Sequence, residues 1–207
     1  KGLNKKYGPQ LAIDHINLDI QPGRIIGLIG PNGSGKTTTL KAALGLIPFE
    51  GELRVLGFDP RTQRDELMQE VCFIADVAVL PRWIRVSEVL DFVEGTHSKG
   101  MIVQLHLAIV MSIDAKLLVL DEPTLGLDIM YRKQFYQNLL EEYFDENKTI
   151  IVTTHQVEEI ENILTDLIFI QDGKITLNTT MDEIGERFTE VMVNSENYQA
   201  AKSLNPI

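Results

Sequence analysis

A chain of 207 residues, 44% apolar and 24% charged, is long enough to bury one sizeable core. Its formal net charge of −11 at pH 7 works against nonspecific attraction to nucleic acid or an anionic lipid surface. The longest apolar runs, "IIGLI" and "KLLVL", fall far short of the roughly twenty residues that span a bilayer; the single Cys72 excludes an internal disulfide and fits a reducing cytosol; and no secretory pattern opens the chain, although Lys1 suggests a start further upstream.

Residues 10–21 alternate apolar and polar, which predicts a half-buried strand, and "QPG" at 21–23 turns the chain. "IIGLIG" then reads as a strand buried on both faces, followed by a glycine-rich loop and a helix over "KTTTLKAALGL" that ends near "GLIPFEG". Further strands are expected at "ELRVLG", "VCFIA", "KLLVLD", "TIIVTT" and "DLIFIQ", with helical patterns at "IMYRKQFYQNLLEEYF" and "QVEEIENIL" between the later ones. This alternation predicts an α/β fold with a mainly parallel sheet, covering helices and an antiparallel portion at one side. After Gly173, "TMDEIGERF" reads as a short helix and "SENYQAAKSLNPI" has no clear period.

"GPNGSGKT", Gly30 to Thr37, matches the phosphate-loop pattern G-x-x-x-x-G-K-[ST] between an apolar strand and a helix. Its glycines allow successive backbone N–H groups to curl towards phosphate, beside the positive end of the next helix. Lys36 is then expected to reach the β- and γ-phosphates and the Thr37 hydroxyl to coordinate Mg²⁺. "LLVLDEPT" puts two carboxylates at a buried strand end, where ligands collect in open α/β sheets. Asp121 is the expected Mg²⁺ partner and Glu122 the general base for a water. His155, after "IIVTT", is a donor or acceptor that could touch the γ-phosphate or hold Glu122.

These residues, in this order, resemble the nucleotide-binding subunits of ATP-binding cassette (ABC) transporters over nearly the whole chain to about residue 177. By that resemblance Gly30, Pro31, Asn32, Gly33, Ser34, Gly35, Lys36, Thr37 and Thr38 form the Walker A loop that binds ATP. "LLVLDEP" is the Walker B strand, and "LGLD", with Leu127 and Asp128, is the D-loop. His155 is the switch histidine, and Tyr7 is the aromatic that stacks on adenine. "SKGM", Ser98, Lys99, Gly100 and Met101, resembles a variant of the signature that completes the ATP site of an opposite subunit. The resemblance implies a P-loop ATPase with ATP and Mg²⁺ as cofactors, driving export by separate transmembrane permease subunits. It further implies a second ATP-binding subunit, a peripheral position on the cytoplasmic side of the membrane, and no nucleic-acid partner.

The sequence departs from the family in three places. Asp76 stands where the Q-loop glutamine is usual, so Mg²⁺ binding there would rest on an acceptor-only carboxylate. In the signature Lys99 replaces a glycine and Met101 a glutamine, while His97 precedes the serine in place of leucine. The ATPase domain is expected over 1–177 and a C-terminal extension over 178–207, but the helical subdomain, about 77–113, is too short for several helices. A real deletion and a segment omitted between His97 and Ser98 both explain this. The second is preferred, because a deletion would remove much of the surface that docks a membrane partner. The alternative function is a soluble ABC-type ATPase acting on nucleic acid or ribosomes. A GTPase is disfavoured because "NKKY" and "NKTI" lack the guanine-reading aspartate.

Overall fold

The apolar runs that mark strands in the sequence form the centre of the molecule. The computed structural model describes residues 1–75, 113–125, 128–155, 157–187, 192–194 and 197–203. Two strands, β1 (Leu3–Tyr7) and β2 (Gln10–Ile16), make an antiparallel ribbon. The main sheet contains β3 (Ile25–Ile29), β4 (Val71–Ala75), β5 (Leu117–Asp121), β6 (Thr149–Thr154), β7 (Asp166–Gln171) and β8 (Lys174–Thr180), in the order β4-β5-β6-β3-β7-β8. Neighbours from β4 to β7 run parallel, and only β8 is antiparallel, as the hairpin partner of β7.

Helices lie on both faces, which explains why β3 and β5 are buried at every position. Alternation along β5 divides the core in two. Leu117 and Val119 pack with Ile26, Leu28 and Leu40 beneath α1 (Lys36–Ala43). Leu118 and Leu120 instead join Phe135, Tyr136 and Leu139 beneath α3 (Ile129–Asn138), which continues as a π-helical turn through Tyr143. The short α2 (Arg64–Leu67) precedes β4, and α4 (Met181–Arg187) and α5 (Tyr198–Lys202) follow the sheet. Among the described residues, no helix is long and apolar enough to cross a membrane.

Three local expectations differ from the structure. "ELRVLG" is not a strand: Leu56 and Gly57 adopt positive φ of 50° and 86°, and Val55 and Phe58 close the resulting turn with reciprocal backbone hydrogen bonds of 2.9 Å. "QVEEIENIL" contains two 3₁₀ turns, Val157–Glu159 and Glu161–Ile163, rather than an α-helix. Ile160 between them is fully buried, and the chain must become extended at Leu164 so that Thr165 N–H can bond Ile25 C=O and start β7. β8 is a strand that the apolar pattern does not mark, because exposed positions alternate with half-buried ones up to the buried Thr179, and Ile175 and Leu177 are its large apolar side chains.

Candidate functional site

β6 lies between β5 and β3, so the ends of all three strands meet at one edge of the parallel sheet. The chain leaving β3 turns sharply into α1. Gly35 caps that helix at φ 110°, and a Cβ there would sit 2.6 Å from the Ala12 carbonyl oxygen of β2, so only glycine fits. The same loop places the Lys36 ammonium against its own backbone, where it donates to Gly30 O at 2.6 Å and Pro31 O at 3.3 Å. Ser34 Oγ is buried with no hydrogen-bond partner. A buried ammonium resting on carbonyls, an unpaired hydroxyl and the start of a helix fit a bound polyphosphate, whose oxygens would satisfy all three.

Asp121 ends β5 with the parity of Leu117 and Val119, so its carboxylate faces α1. There it accepts from the Thr37 hydroxyl at 2.9 and 3.2 Å. It also accepts from Thr153 at 2.6 Å, because Thr153 stands opposite Asp121 in the β5–β6 register. A carboxylate and a hydroxyl supply hard oxygen ligands for Mg²⁺, which characteristically uses one or two carboxylates and takes its other oxygens from phosphate and water. Among the described residues there is no group of three or more His, Cys, Asp or Glu that could hold a metal ion.

Glu122 does not continue the alternation. Its φ of 51° places it in the left-handed region, at a cost of order 1–3 kcal/mol for a non-glycine residue. Its N–H bonds Thr153 O at 3.2 Å and Thr153 Oγ1 at 3.0 Å. The side chain thereby reaches His155 at the end of β6, and Glu122 Oε2 lies 2.9 Å from His155 Nδ1. An ionised carboxylate only accepts, so His155 donates from Nδ1. Both side chains retain access to solvent.

Tyr7, Asn32, Lys36, Thr37, Thr38 and Glu122 line one open cavity of about 290 Å³. Tyr7 is half exposed at the end of β1, with the Lys5 ammonium 4.9 Å from its ring centre. A larger cavity of about 450 Å³ lies along α1, but it is walled mainly by apolar side chains such as Leu28, Leu40, Leu117 and Ile151. The smaller cavity has the converging polar groups that phosphate chemistry needs.

Asp128 caps α3, its carboxylate accepting from Met130 N and Tyr131 N at 3.1 Å. Asp76, the signature residues Ser98, Lys99, Gly100 and Met101, and Leu127 lie outside the described residues. Thr153 is a site residue that sequence reasoning missed. Its hydroxyl touches both neighbouring acids, a role visible only once β5 and β6 are in register.

The family described as ABC transporter matches residues 13–89. The chain is 32% identical to Nod factor export ATP-binding protein I of Cupriavidus metallidurans, covering 84% of this chain and 68% of the relative. It is 28% identical to the bacitracin transport ATP-binding protein BcrA of Bacillus licheniformis, covering 94% and 74%. That second comparison runs over 227 positions, more than this chain has residues, so the relative carries residues without a counterpart here. Among solved structures, one described as the ATP binding subunit of an ABC transporter superposes with a TM-score of 0.75 at 19% identity, covering 98% of both chains. CbiO1 from Clostridium perfringens, described as part of the ABC transporter complex cbiONQ, gives 0.70 at 23% identity over 90% and 89%.

Proposed function

This chain belongs to the ATP-binding subunits of ABC transporters, and from that membership we propose how its residues divide the work of ATP hydrolysis. Binding and hydrolysing ATP for transport is the activity of the family. The observation that carries the residue assignment is the pairing of Glu122 with His155 at 2.9 Å, beside Asp121 and the loop that holds Lys36.

Lys36 leaves the Gly30 and Pro31 carbonyls for the β- and γ-phosphate oxygens, and the loop N–H groups from Gly33 to Thr38 hold the phosphates against α1. Tyr7 offers its exposed ring to adenine. Thr37 and Asp121 would hold Mg²⁺, which when bound would supply Lewis-acid charge to the phosphate oxygens. Glu122 takes a proton from the attacking water as its oxygen bonds to the γ-phosphorus and the bond from that phosphorus to ADP breaks. His155 fixes the Glu122 carboxylate through Nδ1.

The same reading gives the remaining parts their places. A second ATP-binding subunit approaches through the segment containing Ser98, Lys99, Gly100 and Met101 and through Leu127 and Asp128, so that ATP joins the two subunits and hydrolysis parts them. Separate transmembrane subunits, docked on the cytoplasmic side, turn that motion into substrate movement. The relative named for Nod factor export supports export, and that relative together with the one named for bacitracin transport favours a transporter subunit over a soluble cassette acting on nucleic acid.

Glu122→Gln tests the assignment. Phosphate release from ATP by the purified full chain should fall about a hundredfold or more, the scale of a lost general base, while ATP binding is retained. A wild-type rate in this variant removes Glu122 from its role.

A further inference from the structure

The Glu122–His155 pair sits at the tips of two strands, and neither side chain is enclosed. Something must hold the strained Glu122 backbone and the turn after β6 in register, because a positive φ at a non-glycine residue persists only where surrounding structure over-determines it. Thr153 does so from one side. On the other side, two residues beyond Glu122 and four beyond His155, the chain meets α3.

Thr124 is buried and its hydroxyl lies 3.3 Å from the hydroxyl of Tyr136, itself almost wholly buried in α3. Burial pushes the Tyr136 hydroxyl up from its ordinary value, so it stays protonated and able to donate. Thr124 Oγ1 is also 3.5 Å from Glu159 Oε2, at the edge of hydrogen-bond reach. The other oxygen of Glu159 pairs with the Arg132 guanidinium, one helical turn before Tyr136, and both of these side chains are about four-fifths buried. The segment carrying Glu122, the segment carrying His155 and α3 are therefore tied at one point.

We propose that Arg132, Tyr136, Thr124 and Glu159 are positioning residues for ATP hydrolysis, setting the Glu122 carboxylate against His155 from behind the site. The proposal rests on the reading of Glu122 as the base. None of the four reaches the phosphate-loop cavity, so their effect falls on the hydrolytic step and leaves nucleotide binding alone. Arg132 and Glu159 act as one unit. Removing either leaves the other charge part-buried without this partner, and the Glu159 turn is released from α3.

The test compares kcat and the KM for ATP in the full chain. Glu159→Gln and Arg132→Met should each lower kcat about tenfold, within the loss of up to about a hundredfold that misplacement by 1 Å causes, and keep KM within about twofold of wild type. Arg132→Lys should recover part of the Arg132→Met loss, and the double variant should lose no more than either single one. Tyr136→Phe keeps the ring and its edge-on packing against Phe135. It removes only the hydroxyl, so it tests the network without endangering the fold, and its kcat should fall about threefold, the scale of one lost neutral hydrogen bond. Unchanged kcat in both Tyr136→Phe and Glu159→Gln, even with a lowered melting temperature, makes the network purely structural and overturns the proposal. A rise in KM that accounts for the loss also overturns it, by placing the effect on binding. Glu122→Gln in the same series separates the two readings. If it keeps turnover, the base assignment fails; if it is inactive while the network variants are normal, only the positioning proposal fails.

Discussion

The phosphate loop and the hydrolytic corner are neighbours in space but are built in opposite ways. The loop runs unbroken from Gly30 to Thr38 between one strand and one helix, and its geometry is fixed by local backbone freedom at Gly35 and by the helix that follows. The corner draws Asp121 from the end of β5 and Glu122 just after it, Thr153 from β6 and His155 just after it, and a supporting contact from α3. It exists only when those elements are in register. A contiguous site can be assembled by a few local conformations, whereas a composite one depends on the packing of the whole sheet.

Substitutions should separate the two. The largest effect is expected at Lys36, since a buried ammonium is the loop's main positive charge. Lys36→Met should weaken ATP binding about a hundredfold, in line with the roughly 2–5 kcal/mol lost when one partner of a buried charge pair is truncated. Titration with a fluorescent nucleotide checks this, and unchanged affinity would break the contrast at its strongest point. A smaller and different effect is expected at Thr153. Thr153→Val preserves shape but withdraws the hydroxyl donor from Asp121 and one acceptor from the Glu122 N–H. Stability should fall by about 1–3 kcal/mol, read by urea unfolding, and kcat should fall further than nucleotide affinity. An affinity loss as large as that of Lys36→Met would mean that the corner governs binding as well.

The same division explains how much could be read from the sequence. The alternating elements, the parallel sheet and the loop are written in short windows: apolar runs for β3, β5 and β6, and the spacing of Gly30, Gly35, Lys36 and Thr37. The adjacency of Asp121 and Glu122 is also plain. That they point differently follows from strand alternation, but where Glu122 ends does not: simple alternation would send it towards α3, and the left-handed backbone turns it to His155. Thr153 and Glu159 read as ordinary strand and helix residues until the β5–β6 register and the position of α3 are known. "QVEEIENIL" reads as helical because its apolar spacing suits a helix, but the depth of Ile160 and the start of β7 limit it to two short turns.

The smallest expected effect lies outside both regions and sharpens the contrast as a control. Glu183 Oε2 accepts from Thr179 Oγ1 at 2.6 Å and from Thr180 N at 3.4 Å, while Thr180 Oγ1 accepts from Glu183 N at 3.2 Å, a reciprocal capping box at the start of α4. Thr180→Ala should cost about 1 kcal/mol of local helix stability, seen as faster amide exchange in α4, with kcat and ATP affinity unchanged. The Thr179 hydroxyl, and after it the Thr180 N–H, hold the Glu183 carboxyl below its ordinary value. A carboxyl with a depressed folded value contributes its stability above the unfolded value, about 4.3 for glutamate, and loses it as pH falls through the lower folded value. Protection of α4 should therefore persist at neutral pH and fade only below about pH 4, and Glu183→Gln should remove that pH dependence. If Thr180→Ala lowers turnover, α4 communicates with the hydrolytic corner, and the separation between the composite site and the rest of the sheet no longer holds.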